Sequence, residues 1–227
     1  MPPAPPAPPP PATPPPLFSI IVVHYQGTVP HEIFLRGIGS LLGQRFASYE
    51  ILCYHDGPLL EPGLSMPVPI HATERRFNDF GHSLRDIGIR AAIGDYILHF
   101  NADNVLYPDA LEQIAAEISR PPRVIQPDGT PLDANDIIIF PIKMFGLVRV
   151  WPHVAQYKGA ADWFEILNGN PPVLRNIDCM QLVMRRRLWL DEGGWYDKSE
   201  LGDGQMYEKF AEKYGYRTVG GVLGEHH

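Results

Sequence analysis

The apolar positions of this chain alternate between two spacings. LFSIIVV (Leu17 to Val23) is a continuous apolar, β-branched run, the pattern of a strand covered on both faces. Phe34, Leu35, Ile38, Leu41 and Leu42 then recur every three or four residues, which predicts an amphipathic helix over roughly His31 to Gly43. EILCYHDG returns to strand and stops at the turn signal Asp56-Gly57-Pro58. A short strand is expected near Val68 to Ala72, then a helix over about His82 to Ile93 with Leu84, Ile87 and Ala91 on one face. DYILHF (Asp95 to Phe100) is a third strong strand. Pro108 sits at the first turn of a helix whose Ala110, Leu111, Ile114, Ala115 and Ile118 line up on one side. DIIIFPI, LVRVW and CMQLVM read as later strands, and Met206, Tyr207, Phe210 and Ala211 as the inner face of a last helix. This order predicts an α/β fold: a mostly parallel sheet flanked by helices, with right-handed crossovers.

Composition sharpens the boundaries. Of 25 prolines, eleven fall in residues 1–16, where only Ala, one Thr and the first Met accompany them. Such a segment has no apolar face and lacks ladder donors, so it is expected to be an extended, disordered tail, with one folded domain over 17–227. The bland role for it is a solvated spacer; the functional one is a docking peptide. The balance of 19 Lys+Arg against 26 Asp+Glu gives a formal charge of -7, which argues against a nucleic-acid binder. Two cysteines in apolar runs exclude a disulfide scaffold or a cysteine-based zinc site. No run approaches the roughly 18 apolar residues of a membrane span, and no secretory signal is visible, so a cytoplasmic protein is expected.

In an open sheet of this kind ligands bind at the carboxyl ends of the strands. Those ends are polar here: His24-Tyr25-Gln26, His55-Asp56-Gly57 and Asn101-Ala102-Asp103-Asn104. The run GIGSLLG (Gly37, Gly39, Gly43) is a decoy for a dinucleotide fingerprint, because its glycine spacing is wrong and it lies inside a predicted helix. HFNADN carries more: Asp103, with Asn101 and Asn104 beside it, offers hard oxygen ligands of the kind that hold magnesium or manganese with substrate phosphates. The structural alternative is a turn in which Asn104 or Asp109 caps the next helix.

Three ordered blocks resemble the family-2 glycosyltransferases, which have the nucleotide-sugar-binding GT-A fold. Residues 19–58 match the family's opening in Tyr25-Gln26, Ser40-Leu41-Leu42-Gly43-Gln44 and Glu50-Ile51 through Asp56-Gly57-Pro58. GHSLRDIGIRAAIGDYILHFNADN is similar to the segment ending in Asp-x-Asp, and QLVMRRRLWLDEGGWYDKSELGDGQMYEKF to the late segment with a Glu-Asp pair opening a helix. The resemblance implies that Asp56 accepts a hydrogen bond from a uracil-like base, with His24 and Tyr25 bordering the base pocket. It implies that Arg85 faces the diphosphate or braces the loop, and that Asn101 and Asp103 stand at the Asp-x-Asp positions. Asp103 is then the metal-binding acid, and Asp203 the general base on an acceptor hydroxyl. His226 and His227 match the place where some GT-A enzymes supply a histidine to the metal, Mn2+ or Mg2+.

Two positions depart from the family pattern: Asn101 replaces the first acid of Asp-x-Asp, and Gly202 the late Glu. The implied function is inverting, metal-assisted sugar transfer from a nucleotide-diphosphate donor, UDP-sugar favoured, to a glycan, lipid-linked or protein acceptor. The alternative is a non-catalytic sugar-nucleotide-binding or scaffold module. For Arg185-Arg186-Arg187 a phosphate site competes with a solvated strand end; for Trp163 and Trp195, sugar stacking competes with core packing.

Overall fold

The computed structural model describes residues 14–63, 65–121, 135–151, 154–158 and 161–227. The proline-rich tail up to residue 13 lies outside the described residues. The first half lays down β1 (Phe18–His24), α1 (His31–Leu42), β2 (Tyr49–His55), β3 (Ile70–Ala72), α2 (His82–Ala91) and β4 (Tyr96–Asn101). β1 is paired in parallel with β2 on one edge and β4 on the other, and all seven of its residues are buried. A strand enclosed on both edges and both faces has no solvent side, which is why LFSIIVV shows almost no polar alternation.

The second half adds β5 (Val105–Leu106), α3 (Ala110–Ser119), β6 (Ile137–Ile139) and β7 (Ile142–Phe145). Then follow a hairpin of β8 (Leu147–Trp151) and β9 (Val154–Tyr157), β10 (Phe164–Leu167), β11 (Leu182–Arg185), α4 (Arg186–Asp191), α5 (Gly202–Tyr214), β12 (Arg217–Thr218) and β13 (Gly224–His226). The main sheet has the order β12-β6-β11-β4-β1-β2-β3 and is parallel except for β11, which runs against both neighbours. A second sheet, β10-β7-β13-β5, brings the end of the chain back beside the Asp103 turn. Successive residues of β1 and β4 point into different cores. Ile20, Val22, Leu98 and Phe100 pack with α1 and α3, whereas Ile21 and Ile97 pack with α2, α4 and α5.

One sequence expectation changes, and two alternatives left open by the sequence are decided. CMQLVM is not strand throughout: Cys179–Gln181 is a 3-10 turn, capped by Asp178, whose carboxylate accepts from the Met180 amide at 3.0 Å. The arginine triplet is structural, since Arg185 and Arg187 pair with Asp136 and Arg186 donates to the Ile89 carbonyl at 3.2 Å. Trp195 is 1% exposed and stacked against Trp189 and His82, so it is core and cannot present a ring to a sugar; Trp163 stays 43% exposed.

The glycines of the decoy run have different jobs within one helix. A Cβ on Gly37 would stand 2.4 Å from the Ala102 carbonyl oxygen, so only glycine lets α1 press against the turn carrying Asp103. A Cβ on Gly39 would meet nothing within 4 Å. The same substitution should therefore have opposite signs two residues apart. Gly39→Ala should stabilise by about 0.5–1 kcal/mol through helix propensity, and Gly37→Ala should destabilise by about 1–3 kcal/mol through overpacking. Urea unfolding of both variants checks this; equal shifts would contradict the close approach.

Candidate functional site

The carboxyl ends of β1, β2 and β4 and the loop before α2 surround a cleft of about 450 Å³, with His24, Tyr25, Asp56, Arg76, Phe80 and Asp103 among its walls. This size suits a small ligand. At one end, the Arg76 guanidinium lies 3.5 Å over the Tyr25 ring, a cation–π stack that leaves the pair bordering the cleft. Asp56 is nearly fully used by the same loop. Its carboxylate accepts from the amides of Phe77 (2.8 Å) and Asn78 (3.3 Å) and from Arg76 Nε (3.4 Å). An ionised carboxylate has about four lone-pair sites, so one remains for a ligand N–H. His24 is buried, its ring 4.4 Å from that of Phe34. Burial, together with the nearby His55 and His31, pulls its pKa down to about 4, so it is a neutral wall of the cleft.

His55, which the sequence reading passed over, locks two of the three turns together. Its Nδ1–H donates to the Gly57 carbonyl at 2.7 Å, which fixes the tautomer and leaves Nε2 to accept from the Gln26 amide at 3.0 Å. Its position beside Asp56 in HDG was the available signal.

At the other end, Asp103 borders the cleft and its Oδ1 is buried without a hydrogen-bond partner. Burial raises its pKa, offset in part by His226 and His227. Neither Asn104 nor Asp109 makes the helix cap that would have explained the HFNADN turn structurally: α3 has no side-chain cap bond, and the buried Asn104 amide has no partner either. Asn101 also lines the cleft, but its oxygen is already engaged. Its Oδ1 accepts from Arg85 at 2.5 Å, and the same guanidinium donates to the Phe80 carbonyl at 2.7 Å. Arg85 is 2% exposed and sits 5.1 Å from the Trp195 ring, so it braces the site from behind.

The chain terminus divides the two histidines. His226 turns inward, its Nδ1 3.1 Å from Asp178 Oδ2. His227 turns outward, stacked on Phe145 at 4.4 Å and bonded to Glu225 at 3.1 Å. Burial opposes the imidazolium of His226, but Asp178, Asp103 and Asp203 outweigh it and push its pKa up to about 9. Asp178 is the second residue that sequence reasoning missed. Burial would raise its pKa; the His226 imidazolium and the Met180 amide reverse this and hold it below the usual carboxylate range. No motif marks it, because its importance comes from β13 returning beside the 3-10 turn.

Asp203 lies in the first turn of α5, its Oδ1 accepting from the Gly204 amide at 2.7 Å. Burial and then the Asp178 charge raise its pKa to about 6. The loop before it is tied to α2: His82 Nε2–H donates to the Ser199 carbonyl (2.9 Å), and Asp86 accepts from the Trp195 amide (3.0 Å). Among the described residues no three His, Cys, Asp or Glu side chains are gathered closely enough to hold a metal ion by themselves. The orphaned Asp103 oxygen does fit a divalent cation whose shell is completed by substrate phosphates and water, and His226 could join it only after losing its proton.

A cleft of this construction at the strand ends of a mostly parallel sheet defines a GT-A type α/β domain. The family model for "Glycosyl transferase family 2" matches residues 19–165, and the chain belongs to that family. None of the curated proteins matches it in sequence. Among solved structures it is similar to S. aureus TarS residues 1–349, with TM-score 0.64 and 15% identity over 92% of this chain and 59% of that one. It is similar to the same TarS fragment in complex with UDP (0.64, 14%, 92% and 60%). A third is the mannosyltransferase PcManGT from Pyrobaculum calidifontis in complex with GDP-Man and Mn2+ (0.60, 12%, 94% and 57%). The chain thus spans about three-fifths of the length of these structures. Among the described residues no helix is long and apolar enough to cross a membrane.

The Asp203 shift has a measurable cost. Because the folded-state pKa exceeds the ordinary 3.8, the ionised carboxylate is disfavoured in the fold, and stability falls as pH rises from about 4 to 6. Each unit is about 1.4 kcal/mol, and partial exposure of the residue reduces the total to about 1–3 kcal/mol. Asp203→Asn should therefore raise Tm at pH 8 and lose that advantage near pH 4. Thermal unfolding at both values tests it; a lower Tm at pH 8 would mean that the carboxylate is structural.

Proposed function

We propose that this chain catalyses inverting transfer of a sugar from a nucleoside diphosphate, with UDP-sugar the favoured donor, to an acceptor hydroxyl. The observation that carries the reading is the buried, unbonded Oδ1 of Asp103 at the far end of a cleft whose near end has a Tyr25–Arg76 stack and Asp56. The base lies against Tyr25, its N–H on the remaining acceptor site of Asp56. Asp103, and His226 through Nε2 once its imidazolium gives up the proton, would hold Mn2+ or Mg2+, which when bound would neutralise charge on the departing diphosphate. The TarS and PcManGT complexes with UDP and with GDP-Man and Mn2+ support a nucleotide in this cleft.

Asp203 is the base. Its carboxylate takes the proton as the acceptor oxygen bonds to the anomeric carbon, while the electron pair of the breaking C–O bond goes to the diphosphate. Attack from the face opposite the leaving group inverts the centre. A pKa of about 6 is matched to this task, being basic enough to accept a proton yet ionised at neutral pH. Arg85 positions rather than reacts: it is sealed behind Asn101 and Phe80, and its charge stabilises the Asp178 and Asp203 carboxylates.

The engagement of Asn101 by Arg85 favours a second reading, in which the chain binds a sugar nucleotide and transfers nothing. Purified protein incubated with Mn2+ and a panel of UDP- and GDP-sugars, with and without simple glycoside acceptors, separates the two. The enzyme reading expects release of nucleoside diphosphate; tight nucleotide binding without turnover on any donor favours the module.

With an acceptor in hand, kcat should fall with a single acid limb centred near pH 6, because protonated Asp203 cannot act as a base. Asp203→Asn should lose about 10²–10⁴-fold in kcat while UDP affinity stays within about twofold. A variant that retains turnover, or a profile flat from pH 5 to 8, would remove Asp203 from the chemistry.

A further inference from the structure

The loop before α2 contains a residue that pays a conformational penalty while burying little of itself. Phe80 is 64% exposed, and its backbone has φ 59°, the left-handed region that bulky side chains avoid. Such conformations cost about 1–3 kcal/mol and persist only where the surroundings over-determine them. Here they do. Asp56 accepts from the amides of Phe77 and Asn78, Asp79 Oδ2 accepts from the amide (3.0 Å) and hydroxyl (2.5 Å) of Ser83, and buried Arg85 grips the Phe80 carbonyl at 2.7 Å. The backbone is held on every side, and the ring it carries is left against the cleft. Core packing does not explain that arrangement.

The position of the ring selects its ligand. The base end of the cleft already has its aromatic, Tyr25, stacked with Arg76. Phe80 is joined through Arg85 to Asn101, at the Asp103 end. Its ring centroid is 6.0 Å from that of His82, whose other edge donates to Ser199 in the loop that leads into Asp203. Phe80 and Asp103 line the same cleft, and His82 links Phe80 to the loop before Asp203; on the transfer reading the sugar lies between these groups.

We propose that Phe80 is a donor-specificity residue, whose exposed ring packs on the apolar C–H face of the sugar carried by the nucleotide. This deepens the glycosyl-transfer reading and rests on it. An aromatic face against a pyranose excludes water from one side of the ring and rejects sugars that present an axial hydroxyl there. It contributes nothing to binding of the nucleotide alone.

The test compares UDP with UDP-glucose, UDP-galactose and UDP-N-acetylglucosamine by calorimetry with Mn2+, on wild type, Phe80→Gly and Phe80→Tyr. Phe80→Gly should weaken the preferred UDP-sugar about tenfold and narrow the preference among the three, while UDP affinity changes less than twofold. Its Tm should rise by about 1–4 °C, since glycine relieves the left-handed strain. Phe80→Tyr should keep the wild-type preference. Equal weakening of UDP and UDP-sugar, unchanged sugar preference in Phe80→Gly, or a fall in Tm would overturn the proposal and leave the transfer reading intact. Wild type that binds neither UDP, GDP nor any of their sugars would overturn both.

Discussion

The site leans on a buried guanidinium, that of Arg85, which among the described residues has no carboxylate in contact with it. Arg85 is sealed from solvent; it donates to a carbonyl (Phe80), an amide oxygen (Asn101) and His82 Nδ1, and faces the Trp195 ring. A buried charge is costly unless hydrogen-bonded and answered by opposite charge. The answer comes from Asp178 and Asp203, whose carboxylates Arg85 stabilises through space. This arrangement couples three segments distant in sequence: the loop before α2, the Asn101–Asn104 turn and the 3-10 turn capped by Asp178.

The charges around Asp103 and His226 then fall into an ordered set. Asp178 and His226 are an ion pair, with the acid held below its ordinary pKa and the imidazole raised to about 9. Asp103 and Asp203 shift the other way, because burial outweighs the cations near them. Carboxylates pushed in opposite directions within one cluster mark different roles. The paired one is fixed in place, and the two disfavoured ones are those to which the proposed function gives the ion, at Asp103, and the proton, at Asp203.

Most of the frame was legible in the chain. β1 and β4 announced themselves because enclosure on all sides demands unbroken apolar runs, and the polar residues after them then had to be at strand ends. Asp56, Asp103 and Asp203 followed from local pattern and resemblance. What could not be read came from long-range return. Asp178 matters only because β13 brings His226 to it, and Trp195 became core only because α2 and α5 close over it. The split between His226 and His227 was foreseeable as alternation but not in its direction, since that depends on the register of β13 against β7. Phe80 looked like an ordinary loop aromatic; its left-handed backbone has no signature in a single sequence.

The central claim is that Asp103 binds the nucleotide's diphosphate through a divalent ion. Isothermal titration of UDP into wild type and Asp103→Asn, each with excess Mn2+ and each with EDTA, tests it most directly. The account predicts that chelation weakens UDP binding to wild type by at least about tenfold and that Asp103→Asn binds UDP weakly with or without the metal. Equal UDP affinity in all four titrations would contradict it.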